Sequence, residues 1–183
     1  VIRLASASQT RAELLKEAGI AFIQESIDFD EDAIVASCPK NFVYQATLGK
    51  YKVNKERFGI EDYPLLVADT VVTSQNQILR KAKCLEDARN ILMTQSGNVT
   101  SIITCMIYES PKQKILDIST TEYYFAPFDL EDVERYLQSG EWRGKAGACM
   151  VEGFCKPYIQ EVRGFESTAM GLCVEILQRF AKT

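Results

Sequence analysis

Leu65-Leu66-Val67-Ala68 is a run of four apolar residues, broken by Asp69-Thr70 and resumed at Val71-Val72. A short continuous apolar run of this kind reads as a strand buried on both faces. A carboxylate set into it is costly to bury unless it is paired, hydrogen-bonded or metal-bound, so Asp69 is either a cap to an adjoining loop or a working group. In an open α/β sheet, ligands sit at strand ends that face a crevice, which tips the choice toward the working group.

Outward from that strand, helices and strands alternate. Residues 1–5 form a short apolar strand that leads through Ser-Ala-Ser into Thr10-x-x-Glu13, a capping box ahead of Leu14, Leu15 and Ala18, with Gly19 as the stop. A second strand is expected over 20–27, then an acidic loop over 28–32, then a helix opened by Pro39 whose apolar stripe is Phe42, Ala46, Gly49 and Val53. Downstream come a helix over 85–95 closed near Gly97, β-rich stretches at 100–108 and 115–125, and a helix from the N-cap Asp129 to Gly140 with Glu131 and Asp132 in its first turn. Gly144, Gly147 and Gly153 punctuate a loop and a short strand, 158–162 makes another strand, and 167–182 closes the chain as a helix. This interleaving favours α/β or α+β with a mixed sheet in one domain, and two lobes flanking a cleft are compatible with it.

The chain has 183 residues, enough to bury a core without disulfides or a structural metal. Twenty-five acidic against 21 basic side chains give a net charge of −4, so no global field draws in nucleic acid or an anionic membrane. The absence of histidine removes Ser-His-Asp and Cys-His catalysis and every histidine metal site, leaving acid–base chemistry to Asp, Glu, Lys or Tyr. Six cysteines without a C-x-x-C pair read as reduced, mostly core residues. No apolar run is long enough for a membrane span and the first residues lack the blocks of a signal peptide, so a cytoplasmic protein is expected.

Three clusters carry chemistry besides Asp69. Ser6, Ser8, Thr10 and Arg11 precede or open a helix, where free N–H groups and the dipole attract an anion and Arg11 adds a bidentate phosphate contact; ordinary capping explains the hydroxyls alone. Asp28, Asp30, Glu31 and Asp32 concentrate hard oxygen donors suited to Mg²⁺ or Mn²⁺, although a solvated acidic loop is the commoner meaning of such a run. Lys50, Lys52, Lys81, Lys83 and Lys145 supply positive charge, the last bracketed by Gly144 and Gly147, while a P-loop is absent. Trp142, Tyr123, Tyr124 and Phe125 are candidates to stack a base, with core packing the commoner fate. Taken together the clusters suit metal-assisted phosphoanhydride hydrolysis.

The segments L-A-S-A-S-Q-T-R-A-E-L-L at 4–15, D-F-D-E at 28–31, L-G-K at 48–50, A-D-T-V-V at 68–72, S-G-N at 96–98, G-K-A-G at 144–147 and G-L at 171–172 stand in an order that resembles the Maf family over nearly the whole chain. The resemblance implies a mixed twisted sheet with flanking helices, related to the inosine-triphosphate pyrophosphatases, with a cleft between two lobes. It implies a nucleoside-triphosphate pyrophosphatase linked to septum formation, and suggests a homodimer. By position, Asp69 would be the catalytic carboxylate, activating water or holding the metal that does so, and Glu31 would help hold that Mg²⁺ or Mn²⁺. Arg11, Lys50 and Lys81 would contact phosphates, Ser8 would line the same pocket, and Lys145 completes the substrate-binding candidates.

Some positions depart from the family. Thr10 precedes Arg11 where two arginines are common, Leu79-Arg80-Lys81-Ala82 keeps only the leucine and lysine of L-G-K-P, and the histidine that often follows S-G is missing. Thr70 in A-D-T resembles the branch acting on dTTP and UTP, whereas Glu152 in V-E-G stands where that branch has glutamine, and E-G-F resembles the branch acting on 7-methyl-GTP. Thr10, Thr70 and Glu152 are therefore the specificity candidates, since a carboxylate accepts from a guanine edge and an amide serves a pyrimidine. The expected activity is on dTTP- or UTP-like nucleotides. The alternatives are a 7-methyl-GTP pyrophosphatase and a nucleotide-binding division regulator without significant turnover.

Overall fold

The computed structural model describes residues 1–181. Its elements run β1 (Ile2–Leu4), α1 (Gln9–Glu17), β2 (Phe22–Gln24), α2 (Pro39–Phe58), β3 (Leu65–Ser74), β4 (Gln77–Ile78), α3 (Leu85–Gln95), β5 (Val99–Ser110), β6 (Gln113–Phe125), α4 (Leu130–Ser139), β7 (Ile159–Arg163), α5 (Glu166–Met170) and α6 (Val174–Ala181). The strands form one mixed sheet in the order β2-β1-β3-β5-β6-β7, with β4 paired to β3. β1 runs parallel to β2 and β3, while β4 and β7 are antiparallel to β3 and β6. The expected mixed α/β sheet with flanking helices is what the chain forms. Contacts divide it into two compact units, one of residues 1–70, 103–120 and the stretch from 165 onward, the other of 71–102 and 121–164.

In the first unit, β3 lacks polar alternation because both its faces are covered. Leu66 and Ala68 pack with Ile2, Leu4, Leu15, Leu172 and Leu177. Leu65 and Val67 pack on the other side with Ala5, Tyr51 and Ile107. The strand continues through Asp69 and Thr70 without interruption. α1 is capped by Ser8, whose Oγ accepts the Arg11 N–H; Thr10 lies inside the first turn, so the expected capping box is displaced by two residues. The buried stripe of α2 is Phe42, Val43, Ala46, Thr47, Tyr51 and Asn54 rather than the one ending at Val53, because Thr47 and Asn54 bury their polar groups in hydrogen bonds. β2 is only three residues long, and the closing helix breaks at Gly171, whose φ of +112° no helical residue adopts. The expected end of that helix at Lys182 lies outside the described residues.

In the second unit, Asp129 caps α4 and Gly140 ends it in the left-handed conformation, as anticipated. Trp142 is buried with its N–H on the Leu137 carbonyl, and Tyr123 and Phe125 are buried too, so these rings pack the core rather than offering a face to a base. The segment from Gly144 to Gly153 is a series of turns instead of a strand, joined to the chain near β4 by a bridge between Lys81 and Ala146. Its turns, with Gly153 N–H on the Met150 carbonyl and Lys156 N–H on the Gly153 carbonyl, bring Cys149 and Cys155 into a disulfide. The reading of six reduced cysteines is corrected here: Cys105 and Cys173 are buried thiols, and Cys38 and Cys84 are exposed. Among the described residues no helix is long and apolar enough to cross a membrane.

Candidate active site

Alternation along β3 sends Asp69 and Thr70 to opposite faces. Asp69 continues the side of Leu65 and Val67, where α2 lies, and its Oδ2 accepts a bond of 2.8 Å from Lys50 Nζ. The same ammonium is 2.5 Å from Glu31 Oε1, so one lysine holds two carboxylates. Asp69 Oδ1 accepts the Thr70 N–H at 2.9 Å. Only 14 % of the Asp69 side chain is exposed, and its burial is tolerated because the charge is paired and both oxygens are hydrogen-bonded.

Glu31 arrives from a loop, and two residues of α2 bring it in, while Gln24 of β2 secures the serine loop beside it. Asn54 Oδ1 accepts the Ile27 N–H and Asn54 Nδ2 donates to the Ile27 carbonyl, pinning residue 27 against the helix as a neighbouring strand would. Phe29 then lies flat against Gly49, where any Cβ would collide with the ring. Gln24 Nε2 donates to the Ser6 and Ser8 carbonyls at 2.7 and 3.2 Å, tying the serine loop to β2. Gly49 was read from sequence as part of an apolar stripe, and Asn54 and Gln24 went unnoticed. The signal available was the glycine in mid-helix, which costs about 1 kcal/mol and so needs a reason.

On the opposite face, Thr70 Oγ1 accepts from Arg11 Nη2 at 3.1 Å. Arg11 also donates through Nη1 to Ser6 Oγ at 3.0 Å and through Nε to the Gly171 carbonyl at 2.7 Å. Burial lowers the Arg11 pKa from its ordinary value, with Asp69 and Glu31 pulling the other way. Burial would lower Lys50 as well, but there the attraction of Asp69 and Glu31 prevails and the pKa is raised. Lys50 is therefore an ammonium at neutral pH, and a guanidinium stays protonated in proteins, so both groups present positive charge.

A cavity of about 320 Å³ opens among these groups, lined by Ser6, Ser8, Arg11, Asp28, Glu31 and Lys50 together with small and apolar residues of the same unit. An anion entering it meets the first turn of α1, a guanidinium and an ammonium. The two carboxylates on Lys50 are hard oxygen donors, no further apart than two hydrogen-bond lengths. Such a pair fits Mg²⁺ or Mn²⁺, which bind through one or two carboxylates and complete their shell with water and phosphate oxygens. Among the described residues no group of three or more His, Cys, Asp or Glu side chains is placed to hold an ion unaided.

Ser8, Arg11, Glu31, Lys50, Asp69 and Thr70 thus come together in the first unit. Thr10 is half-buried in the first turn of α1, and Asp30 and Asp32 are exposed. Lys81, Lys145 and Glu152 belong to the second unit. There the Lys81–Ala146 bridge and the Gly147 N–H on the Arg80 carbonyl lay the G-K-A-G turn along the segment carrying Lys81. Gln95 Nε2 fixes that turn by donating to the Gly147 carbonyl at 2.7 Å. Glu152 is exposed on the turn between the bonded Cys149 and Cys155.

An open mixed sheet whose central strand carries a lysine-paired carboxylate, beside a helix N-terminus with its arginine, defines an α/β protein equipped to hold an anion against acidic side chains. The chain belongs to the Maf family: the family model described as Maf-like protein matches residues 1–183. A protein of Nitratiruptor sp. is 56 % identical over 100 % of this chain and 99 % of its own length, and is named nucleoside triphosphate pyrophosphatase. Proteins with the same name from Helicobacter pylori and Campylobacter jejuni are 40 % and 35 % identical, covering 94 % and 97 % of this chain and 90 % and 98 % of their own lengths.

Proposed function

We infer that this chain is a hydrolase of phosphoric anhydrides, a nucleoside triphosphate pyrophosphatase. The observation that carries the reading is the Lys50 ammonium shared by Asp69 and Glu31 in a cavity that also holds Arg11 and the start of α1. Water attacks the α-phosphorus, the bond from that phosphorus to the oxygen bridging to the β-phosphorus breaks, and monophosphate and pyrophosphate leave. Asp69 is the carboxylate that orients the attacking water and takes up its proton. Arg11, Lys50 and the N–H groups of α1 hold phosphate oxygens and offset the charge that grows on the leaving pyrophosphate. Asp69 and Glu31 are the residues that would hold Mg²⁺ or Mn²⁺, which when bound supplies Lewis acidity and lowers the pKa of coordinated water. Lys81 and Lys145 are the second unit's candidates for phosphate contact.

The likeness of A-D-T to the pyrimidine branch supports dTTP and UTP as substrates, and the resemblance to the Maf family supports work on the cytoplasmic nucleotide pool and a link to septum formation. Glu152 supports a second reading, 7-methyl-GTP, because a carboxylate accepts from a guanine edge. The deciding experiment measures pyrophosphate release from dTTP, UTP, CTP, GTP, ATP and 7-methyl-GTP with Mg²⁺ or Mn²⁺, using Asp69→Asn as the blank. Turnover of dTTP or UTP is expected, and turnover of 7-methyl-GTP alone transfers the assignment to the second reading. Binding without turnover of any of them, by folded protein, makes it a nucleotide-binding regulator.

A further inference from the structure

Arg11 is held by a hydrogen-bond ring whose direction the chemistry fixes. Thr70 and Thr104 hydroxyls lie 2.8 Å apart, and Thr104 Oγ1 is 2.8 Å from the Thr168 carbonyl. A carbonyl only accepts, so Thr104 gives its single hydrogen to Thr168 and must accept from Thr70. Thr70 in turn accepts from Arg11 Nη2, since a guanidinium only donates. Gly171 closes the ring, with its N–H on that same Thr168 carbonyl and its own carbonyl taking Arg11 Nε. A Cβ at Gly171 would stand 3.3 Å from Nε and 3.5 Å from Thr70 Oγ1, which leaves little room for anything but glycine.

We propose that Thr104, which is fully buried and does not line the cavity, is a positioning residue that aims Arg11 at substrate phosphate by acting through Thr70. Three of the five guanidinium N–H groups are engaged by Gly171, Ser6 and Thr70, which leaves one on each terminal nitrogen for phosphate oxygens. The Thr70 hydrogen is committed to Thr104, so Thr70 has none to donate to a base. This deepens the pyrophosphatase reading, because it takes Arg11 as a phosphate ligand.

The test compares the full-length protein with Thr104→Val, which keeps the shape and removes the hydroxyl, and with Thr104→Ser, which keeps the hydroxyl. Thr73→Val is the control, removing a β3 hydroxyl that donates to the Ser101 carbonyl. For a triphosphate the wild type turns over, Thr104→Val is expected to raise KM about tenfold while kcat changes less than threefold, as when a charge-assisted contact loses its alignment. Thr104→Ser and Thr73→Val should stay near the wild-type KM. In an Arg11→Met background, Thr104→Val should add nothing, because its route to the phosphate is gone. Thr70→Val, at a less buried position, repeats the measurement should Thr104→Val fail to fold. An unchanged KM in the folded valine variants, or a full additional loss in the Arg11→Met background, overturns the proposal. Calorimetric binding of inorganic tripolyphosphate by the same variants separates the two claims. If the wild type turns over no triphosphate the activity reading falls, while a weakened tripolyphosphate affinity in Thr104→Val still upholds the ring and an unchanged one removes it.

Discussion

Asp69 and Thr70 are adjacent in one strand, yet the two faces they serve are built on opposite terms. On the Asp69 face the bonds are ionic and made by long side chains, Lys50 and Glu31, that remain partly open to solvent. On the Thr70 face they are short hydroxyl-to-hydroxyl and hydroxyl-to-carbonyl links ending in buried Thr104 and Thr168. An ion pair near the surface exchanges partners at small cost, whereas a buried polar network that loses one member leaves another unsatisfied. The first face is suited to trade its contacts for a substrate or cation, and the second to stay as it is.

The sharpest way to break this contrast is Asp69→Asn. It keeps the shape but removes the charge, and its single oxygen can accept from Lys50 or from the Thr70 N–H but not from both, so pyrophosphate release is expected to fall by roughly 10²–10⁴-fold. Stability should fall by about 1 kcal/mol, because one of the two contacts is lost while Glu31 stays on Lys50 as its counter-charge. A variant with full turnover would remove Asp69 from the chemistry.

Lys50→Met should come next, losing roughly tenfold to a hundredfold in kcat/KM as a charged contact to phosphate disappears. It also leaves Asp69 and Glu31 without their shared counter-charge, so the variant is less stable. Because the folded pKa of Lys50 is raised, the stabilisation is complete below its unfolded value near 10.4 and is lost as pH rises through the folded one. The difference in thermal midpoint between wild type and Lys50→Met should therefore be constant from pH 7 to 9 and shrink above pH 10. A gap that stays constant through pH 11.5 would show that the charge on Lys50 is not what stabilises this face.

Gly49→Ala sets local preference against the site. Helix propensity alone favours alanine by about 1 kcal/mol. The new methyl group strikes Phe29, and overpacking of that kind costs about 1–3 kcal/mol unless the ring leaves. Departure of Phe29 carries Glu31 away from Lys50, so catalysis should drop by about tenfold through that lost contact while helix content holds. Unchanged kinetics would mean that Glu31 reaches Lys50 without the Phe29 anchor.

These two faces also show what was legible beforehand. The apolar run at Leu65 announced a doubly covered strand, and the carboxylate after it stood out because burying it needs a partner. Glu31 and Lys50 stood out only as members of charged clusters, and their place beside Asp69 came through resemblance, since nothing in a linear sequence states that residues 31, 50 and 69 share one point. Thr104 gave no sign at all: a threonine in a β-rich stretch is ordinary, and its part depends on which neighbour takes its hydrogen. The rotation of the α2 stripe and the Cys149–Cys155 bond were missed for the same reason, because buried polar groups and turn geometry are satisfied by partners far away or out of register. Gly171 read as part of a helix, whereas its left-handed backbone ends the helix there and turns its carbonyl to Arg11 Nε.

The smallest effect expected is an absence of reaction, and it tests how dry the Asp69 face is beneath its ions. Cys105 precedes Met106 in β5 and shares the side of Ile107, which packs with Leu65 and Val67. Burial pushes its thiol up to about 11, so at pH 7.5 almost none of it is the reactive thiolate. Iodoacetamide on the native protein should therefore modify Cys38 and Cys84 and leave Cys105 intact, with Cys149 and Cys155 becoming available only after reduction. Mass spectrometry of the labelled peptides reads all of these sites at once. Labelling of Cys105 at a rate near that of Cys38 would mean that water reaches the floor of this face and that the apolar layer beneath the ions is open.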